Sequence, residues 1–201
     1  MLPRAVTVSL AGITPYSGGA AFQSEPLEGE NAEAQDIRCW RERIHTNADG
    51  QVFIPPRALK SALASIARHK GKKIKGRGNK TWGDAFERGI QPAGLPEDGL
   101  LFDAKGNPIM LNDVPMEVVY AYAQGHKSEN ESRVRRRFPT VPAGWTTKMR
   151  LLITDDSIDE KSFAEHLDAA SLLIGLGRYR PENGGEYGLF NVKDISWEEK
   201  K

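Results

Sequence analysis

The sequence predicts an α+β fold in the order strand, helix, strand, strand, helix, strand. Three observations predict it. Segments 4–10, 116–122 and 145–153 alternate apolar and polar residues, as half-buried strands do. Two longer segments repeat apolar residues at helical spacing, and a last strand-like segment follows a glycine-rich stretch near the C-terminus.

The first elements are a strand, a long loop and a hairpin. Residues 4–10 predict the first strand. Residues 15–36 are rich in Gly, Ser, Glu and Ala, and we expect them to form a loop. We expect residues 37–54 to form a hairpin, because Asn47-Ala-Asp-Gly50 is a turn signal between two apolar segments.

The first core helix begins at Pro55-Pro56, since proline suits the first turn of a helix, and it is expected to fade near Gly71. Residues 70–80 are basic and rich in glycine and predict a mobile loop. A short helix is expected over residues 81–88. Residues 91–114 contain several prolines and glycines, and they predict an irregular insertion.

The second half repeats the pattern. Residues 116–122 predict the second core strand, and residues 124–137 a hairpin tip or exposed arm. A third core strand follows over residues 145–153. Ser157-Ile-Asp-Glu160 is a capping-box sequence and is expected to open the second helix, before a final strand from Leu189 to about Trp197.

Without the insertions, this order is that of the ferredoxin-like split βαβ fold, with an antiparallel sheet and two helices. We therefore expect one domain over residues 1–201, with insertions at about 15–54, 70–114 and 124–143.

Charge is segregated along the chain, although the net charge is only +1. Residues 57–80 contain nine Lys or Arg and no acid, and residues 133–150 contain six and no acid. Residues 24–36 contain five acids and no base. The sequence thus predicts separate basic and acidic surfaces.

The single cysteine, Cys39, excludes an intramolecular disulfide and argues against a cysteine-based zinc site. No apolar segment approaches a membrane span, and the N-terminus lacks the long apolar stretch of a signal peptide. We expect a cytoplasmic protein with no membrane partner, no cofactor and no metal.

Two segments resemble a known family. Residues 36–63 contain Ile54-Pro55 followed by Leu59-Lys60, and residues 175–188 form a glycine-rich loop after the last helix. Both are similar to RAMP-superfamily proteins, and specifically to the guide-RNA-binding backbone subunits of CRISPR effector complexes. The resemblance implies a modified RNA-recognition fold with a protruding thumb hairpin. It departs from the family at residues 56–58, which read Pro-Arg-Ala where Gly-Ser-Ser is frequent, and in the shortness of the chain.

The resemblance implies that the partners are single-stranded guide RNA and either copies of this chain or other CRISPR effector subunits. Basic side chains in the first basic segment are therefore candidates for phosphate contact. They are Arg57, Lys60, Arg68, Lys72, Lys73, Lys75 and Arg77. Lys60 is the sharpest candidate, because the family motif implies that it lies beside the RNA backbone.

A second set of candidates lies between the central strands, where the thumb would project, and on the following strand. An arginine cluster beside an aromatic ring suits phosphate binding combined with base stacking. The residues are Arg133, Arg135, Arg136, Arg137 and Lys148, with Phe138 as the ring.

The glycine-rich loop supplies the third set. Arg178 and Arg180 are candidates for phosphate binding, whereas five glycines permit a tight backbone path. The glycines are Gly175, Gly177, Gly184, Gly185 and Gly188. Their spacing matches neither a Rossmann motif nor a P-loop, so a polynucleotide or an adjoining subunit is expected here rather than a nucleotide cofactor.

Three alternatives remain open from the sequence. A metal-independent, repeat-processing endoribonuclease would use His45 or His126, and target cleavage by a backbone subunit would use Asp36; all three are weak candidates. A phage-encoded subunit mimic would inhibit a CRISPR complex through protein contacts. The principal expectation is a non-catalytic RNA-binding subunit.

Overall fold

The computed structural model describes residues 3–122 and 133–198. Seven strands and four α-helices lie within these ranges. The strands are β1 (Arg4–Gly12), β2 (Tyr16–Ser17), β3 (Ile90–Pro92), β4 (Met116–Tyr122), β5 (Arg133–Val141), β6 (Thr146–Ile153) and β7 (Phe190–Trp197). The helices are α1 (Ala32–Cys39), α2 (Pro56–Lys70), α3 (Trp82–Gly89) and α4 (Glu160–Leu173).

The main sheet is antiparallel and has the order β3-β6-β1-β7. With helices α2 and α4, its strands reproduce the split βαβ order, and the ferredoxin-like α+β prediction is confirmed. Val6, Val8 and Leu10 of β1 are almost completely buried, because alternate residues of a strand share the face that the helices cover.

In chain order, the second strand of the main sheet is β3. The prediction that residues 116–122 form a strand of the core sheet is therefore wrong. Those residues form β4, at the edge of a second sheet of order β2-β5-β4. Val118 and Tyr120 of β4 are 41% and 58% exposed. Alternation identifies a strand but not its sheet, and β3 has only three residues and ends in proline.

The predicted strand over residues 37–44 is also wrong. This segment completes helix α1 and continues as a 3₁₀ turn, Trp40–Arg43. Asn31 caps the helix, since its side chain accepts the backbone N–H groups of Glu33 and Ala34. In place of the expected hairpin, an isolated antiparallel bridge joins Thr46 to Val52.

The main helices begin and end much as expected. Pro56 occupies the first turn of α2, and Gly71 ends that helix with a φ of 58°. The short helix near residues 81–88 is confirmed as α3, which has a capping box between Thr81 and Asp84. Helix α4 is capped by Asp159, not by Ser157 as the capping-box prediction held.

Strand β5 already begins at Arg133, so the arginines predicted on a hairpin tip belong to a strand. The rest of that predicted tip, residues 124–132, lies outside the described residues. Within the described ranges, none of the helices combines the length and the apolar character that a membrane span requires.

Candidate nucleic-acid interface

A groove of about 900 Å³ lies between the N-terminal end of α2 and the glycine-rich loop. Pro55, Arg57 and Ser61 line it from α2 and the preceding turn, and Gly177 and Arg180 from the loop. The fold thus brings together two segments that are more than a hundred residues apart in the sequence. Both were predicted as RNA contacts.

The loop needs its glycines because it packs closely against itself and against β2. The backbone N–H of Arg178 donates to the carbonyl oxygen of Ser17 at 2.8 Å. Gly177 has a φ of 80°, and a Cβ there would overlap that same carbonyl and the ring of Tyr16. A Cβ at Gly188 would overlap the carbonyl of Leu176. The tight path expected from the glycines is therefore present.

Arg180 is held at the groove by a fixed partner. Its Nη2 lies 2.5 Å from Oε2 of Glu182, and its Nη1 donates to the carbonyl of Gly177 at 2.9 Å. Glu182 also accepts the hydroxyl of Ser65 on α2. Burial alone would raise the pKa of Glu182, but the hydrogen bonds from Ser65 and Arg180 outweigh it and lower that pKa. The carboxylate thus stays charged and keeps the guanidinium in place.

Arg57 and His45 also contribute polar groups to the groove. Arg57 is exposed, and in the described part of the chain it has no ion-pair partner. His45 is half-buried, with its ring 5.6 Å from that of Phe53. Burial lowers the pKa of His45, so its imidazole is neutral near pH 7.

A cluster of arginines surrounds Asp36 at the base of the second sheet. The carboxylate is 1% exposed and accepts the Nη2 of Arg43 at 2.8 Å and the backbone N–H of Arg137 at 3.0 Å. The guanidinium of Arg137 lies 3.5 Å away. Asp36 is thus occupied as the counter-ion that joins the 3₁₀ turn to β5, which is not the arrangement of an accessible catalytic acid.

Arg178 lies beside this cluster rather than in the groove. Its side chain donates to the carbonyls of Gly18 and Ala20, and its guanidinium lies 5.8 Å from the centre of the Phe138 ring. Burial, followed by the nearby charges of Arg43 and Arg136, lowers its pKa to about 10. Arg136, half-buried on β5, has partners of its own. Both arginines can add positive potential to this side of the molecule.

The basic loop of residues 70–80 does not reach the groove. It follows the C-terminal end of α2, and 15 residues of helix separate the two ends by about 21 Å. There Arg77 pairs with Asp156 at 3.0 Å and Lys80 with Asp155 at 2.6 Å. Arg57 and the basic loop belong to one basic segment of the sequence, but helix α2 places them at its opposite ends.

The remaining candidates are scattered. Lys60 donates to Gln91 at 3.3 Å, and Arg68 pairs with Glu87. In the basic loop Lys73 donates to Asn79, while Lys72 and Lys75 are exposed, as are Arg135 on β5 and Lys148 on β6. His126 and the side chain of Arg133 lie outside the described residues.

Sequence reasoning missed several groove residues. Phe53 and Tyr16 lie in segments expected to be hairpin and loop. Glu182, which holds Arg180 at the groove, carries no motif of its own. Pro92 and Pro96 did indicate a turning segment at the surface, because prolines are enriched in turns. Their segment contributes an apolar wall of the groove.

No protein-family model and no curated protein matches the sequence. Solved structures do match the fold. A chain in the cryo-EM structure of the Type III-B Cmr-beta bound to cognate target RNA covers 98% of this chain, with a TM-score of 0.55 and 16% identity. The present chain spans 61% of the length of that chain. The crystal structure of Cmr6 from Pyrococcus furiosus covers 96% of this chain and 99% of its own, with a TM-score of 0.47 and 13% identity. The resemblance to CRISPR effector subunits is thereby confirmed at the level of the fold.

Proposed function

We propose that this protein is a non-catalytic RNA-binding subunit of a CRISPR-like ribonucleoprotein. The observation that carries the proposal is the meeting of Arg57, Arg180 and the glycine-rich loop at one groove. Positioned guanidinium groups bind phosphate oxygens well, because their planar fork matches the phosphate geometry. Glu182 holds Arg180 in place before any ligand arrives, which lowers the entropic cost of binding.

The identity of the RNA as guide RNA is part of the proposal. The shared fold with a chain of the Type III-B Cmr-beta supports an RNA partner in general, since that complex is bound to its cognate target RNA. The partners we propose are guide RNA and either copies of this chain or other effector subunits.

The basic residues outside the groove extend the proposed contact surface. Lys72 and Lys75 would meet the phosphate chain at one end of α2, and Arg135 would meet it on the second sheet. Such contacts depend on charge rather than on fixed geometry, so they should weaken strongly with salt.

The test is the affinity for a single-stranded RNA, measured by fluorescence anisotropy at several salt concentrations. Arg57→Glu should weaken binding about tenfold or more, because it replaces a charge-assisted phosphate contact with repulsion. Arg88→Glu is the matched control, since Arg88 is exposed at the end of α3, away from the groove. Equal losses in the two variants, or no binding by the native protein, would contradict the proposal.

A repeat-processing endoribonuclease is the second candidate, because His45 lies in the same groove as a neutral imidazole able to accept a proton. Incubation of a labelled hairpin RNA in metal-free buffer tests it. Cleavage by the native protein that His45→Ala abolishes would establish this activity, and an intact RNA would reject it.

A further inference from the structure

The groove is more apolar than a phosphate-binding surface needs to be. Flat side chains from three segments line its walls. They are Phe53, Pro55, Pro56, Pro92 and Pro96, together with Tyr16, whose ring is 1% exposed and borders the groove without offering a stacking face. Rings of this kind pack against a planar partner, as bases do when they stack on aromatic side chains.

Two arginines line the groove, Arg57 and Arg180. Arg180 is paired with Glu182, whereas Arg57 is exposed and has no ion-pair partner among the described residues. Among the described lining residues the one acid is Asp98, which is buried and already satisfied: its two carboxylate oxygens accept the backbone N–H groups of Leu95 at 3.1 Å and Arg150 at 2.8 Å. The groove therefore offers apolar walls beside the unpaired positive charge of Arg57, which complements a ligand with a planar ring and an anionic group.

The polar groups along the walls can also form hydrogen bonds with the edge of a planar ring. His45 packs its imidazole against Phe53 and lines the groove. A neutral imidazole presents one donor and one acceptor. Ser61, exposed on α2, adds a hydroxyl that can donate or accept.

The shape of the groove selects a single strand. It is concave, and its volume of about 900 Å³ is at the upper end of the range of small-molecule sites. A duplex keeps its bases stacked and paired inside a convex rod of phosphates, so it cannot insert a base here. Only an unpaired nucleotide can turn its base away from the strand.

We propose that the groove binds one unpaired nucleotide of the RNA, with its base against the wall formed by Phe53 and the prolines and its phosphate at Arg57. This inference rests on the proposed function and adds base contact to backbone contact. It predicts that the protein distinguishes a strand with bases from a strand without them.

The test compares two strands of about 12 nucleotides, within the site sizes of single-strand-binding domains. One is ordinary RNA, and the other is a ribose-phosphate strand that lacks every base. The native protein should bind the ordinary strand about tenfold more tightly or more, as expected from stacking one base. Equal affinities would overturn base binding and leave phosphate binding intact, whereas absence of binding to both strands would overturn the proposed function as well.

The variant Ser61→Trp tests the same proposal by filling the groove. Ser61 is exposed, so an indole can fill the groove without entering the core. The variant should bind ordinary RNA about tenfold less tightly than native protein does, and its preference for the ordinary strand over the abasic strand should be lost. Ser196→Trp, on an exposed position of β7, should leave both affinities unchanged. A Ser61→Trp variant that still prefers the ordinary strand as strongly as native protein would place base recognition elsewhere.

Discussion

The two ends of α2 carry the same charge but differ in how that charge is held. At the N-terminal end, Arg180 is fixed by Glu182 and a backbone carbonyl beside a glycine-rich loop that packs on β2. At the C-terminal end, Lys72 and Lys75 lie exposed in a loop whose glycines have open space around them. Positive charge alone therefore does not define a site: among the described residues, the groove with apolar walls and the glycine-rich loop lie at the N-terminal end.

The largest expected contrast is between the buried ion-pair cluster at Asp36 and the exposed ion pair near the C-terminal end of α2. Asp36→Asn should lower the free energy of unfolding by about 3–5 kcal/mol, because it leaves Arg43 and Arg137 buried without a counter-ion. Asp156→Asn should cost about 0–1 kcal/mol, since its pair with Arg77 is exposed and screened by water. Urea unfolding of both variants measures this. Equal costs would show that the arginine cluster does not stabilise the second sheet.

A second contrast uses two glycines of similar conformation. Gly177 and Gly76 have φ values of 80° and 78°, so alanine is strained at either position by about 1–2 kcal/mol. Only at Gly177 would the new Cβ overlap other atoms, those of Ser17 and Tyr16. Gly177→Ala should therefore cost about 1–3 kcal/mol more than Gly76→Ala, as overpacking does. Thermal unfolding compares them, and a smaller loss at Gly177 would contradict the docking of the loop.

A third contrast concerns pH. His166 is buried between Trp82 and Phe86, with Lys70, Lys72 and Glu165 nearby, and burial is the main cause that lowers its pKa. The unfolded chain then binds the proton first as the pH falls. The contribution of neutral His166 to the free energy of unfolding is fully present above about pH 6.5, the ordinary pKa of histidine. It decreases as the pH falls towards the lower pKa of the folded state.

His166→Phe should remove most of that decrease in stability between pH 7 and 5.5, because phenylalanine cannot bind the proton. His45→Phe is the comparison at the groove, where burial also lowers the pKa. Thermal midpoints across this pH range measure both. If neither variant flattens the curve, the histidines do not cause the loss.

The smallest contrast concerns a single exposed lysine. Lys75→Ser should change the free energy of unfolding by less than about 0.5 kcal/mol, because the side chain is exposed and unpacked. If Lys75 contacts phosphate, the slope of log K against log salt should fall by about 0.7 for a single strand. An unchanged slope would limit the RNA contacts to the groove end.

The sequence predicted those parts of the fold that carry local signals. Helix α2 was identifiable because Pro56 and Gly71 mark its ends, and β1 because its alternation is strict. Strand β3 was not identifiable, since three residues ending in proline acquire a strand conformation only by pairing with β6. Helix α1 was obscured by its polar composition, although Asn31 is a good N-cap residue.

The candidate site was predicted in its charges but not in its walls. Arg57, Arg180 and the glycines belong to recognisable patterns. Phe53 and the prolines of residues 92–96 reach the groove only through the long-range packing of separate segments, which no local pattern encodes. The same packing draws Asp36 into an ion-pair cluster, where a single sequence shows only an acidic segment.

The open surroundings of Gly76 and Gly78 have a practical consequence. Exposed basic residues on either side of these glycines make the loop a preferred trypsin site, because an unpacked segment fits a protease cleft. A cut there leaves two fragments joined by the buried contacts of α2 with α3 and α4. The loop is therefore a suitable place to insert a tag, or to divide the chain into two halves that assemble only when both are expressed.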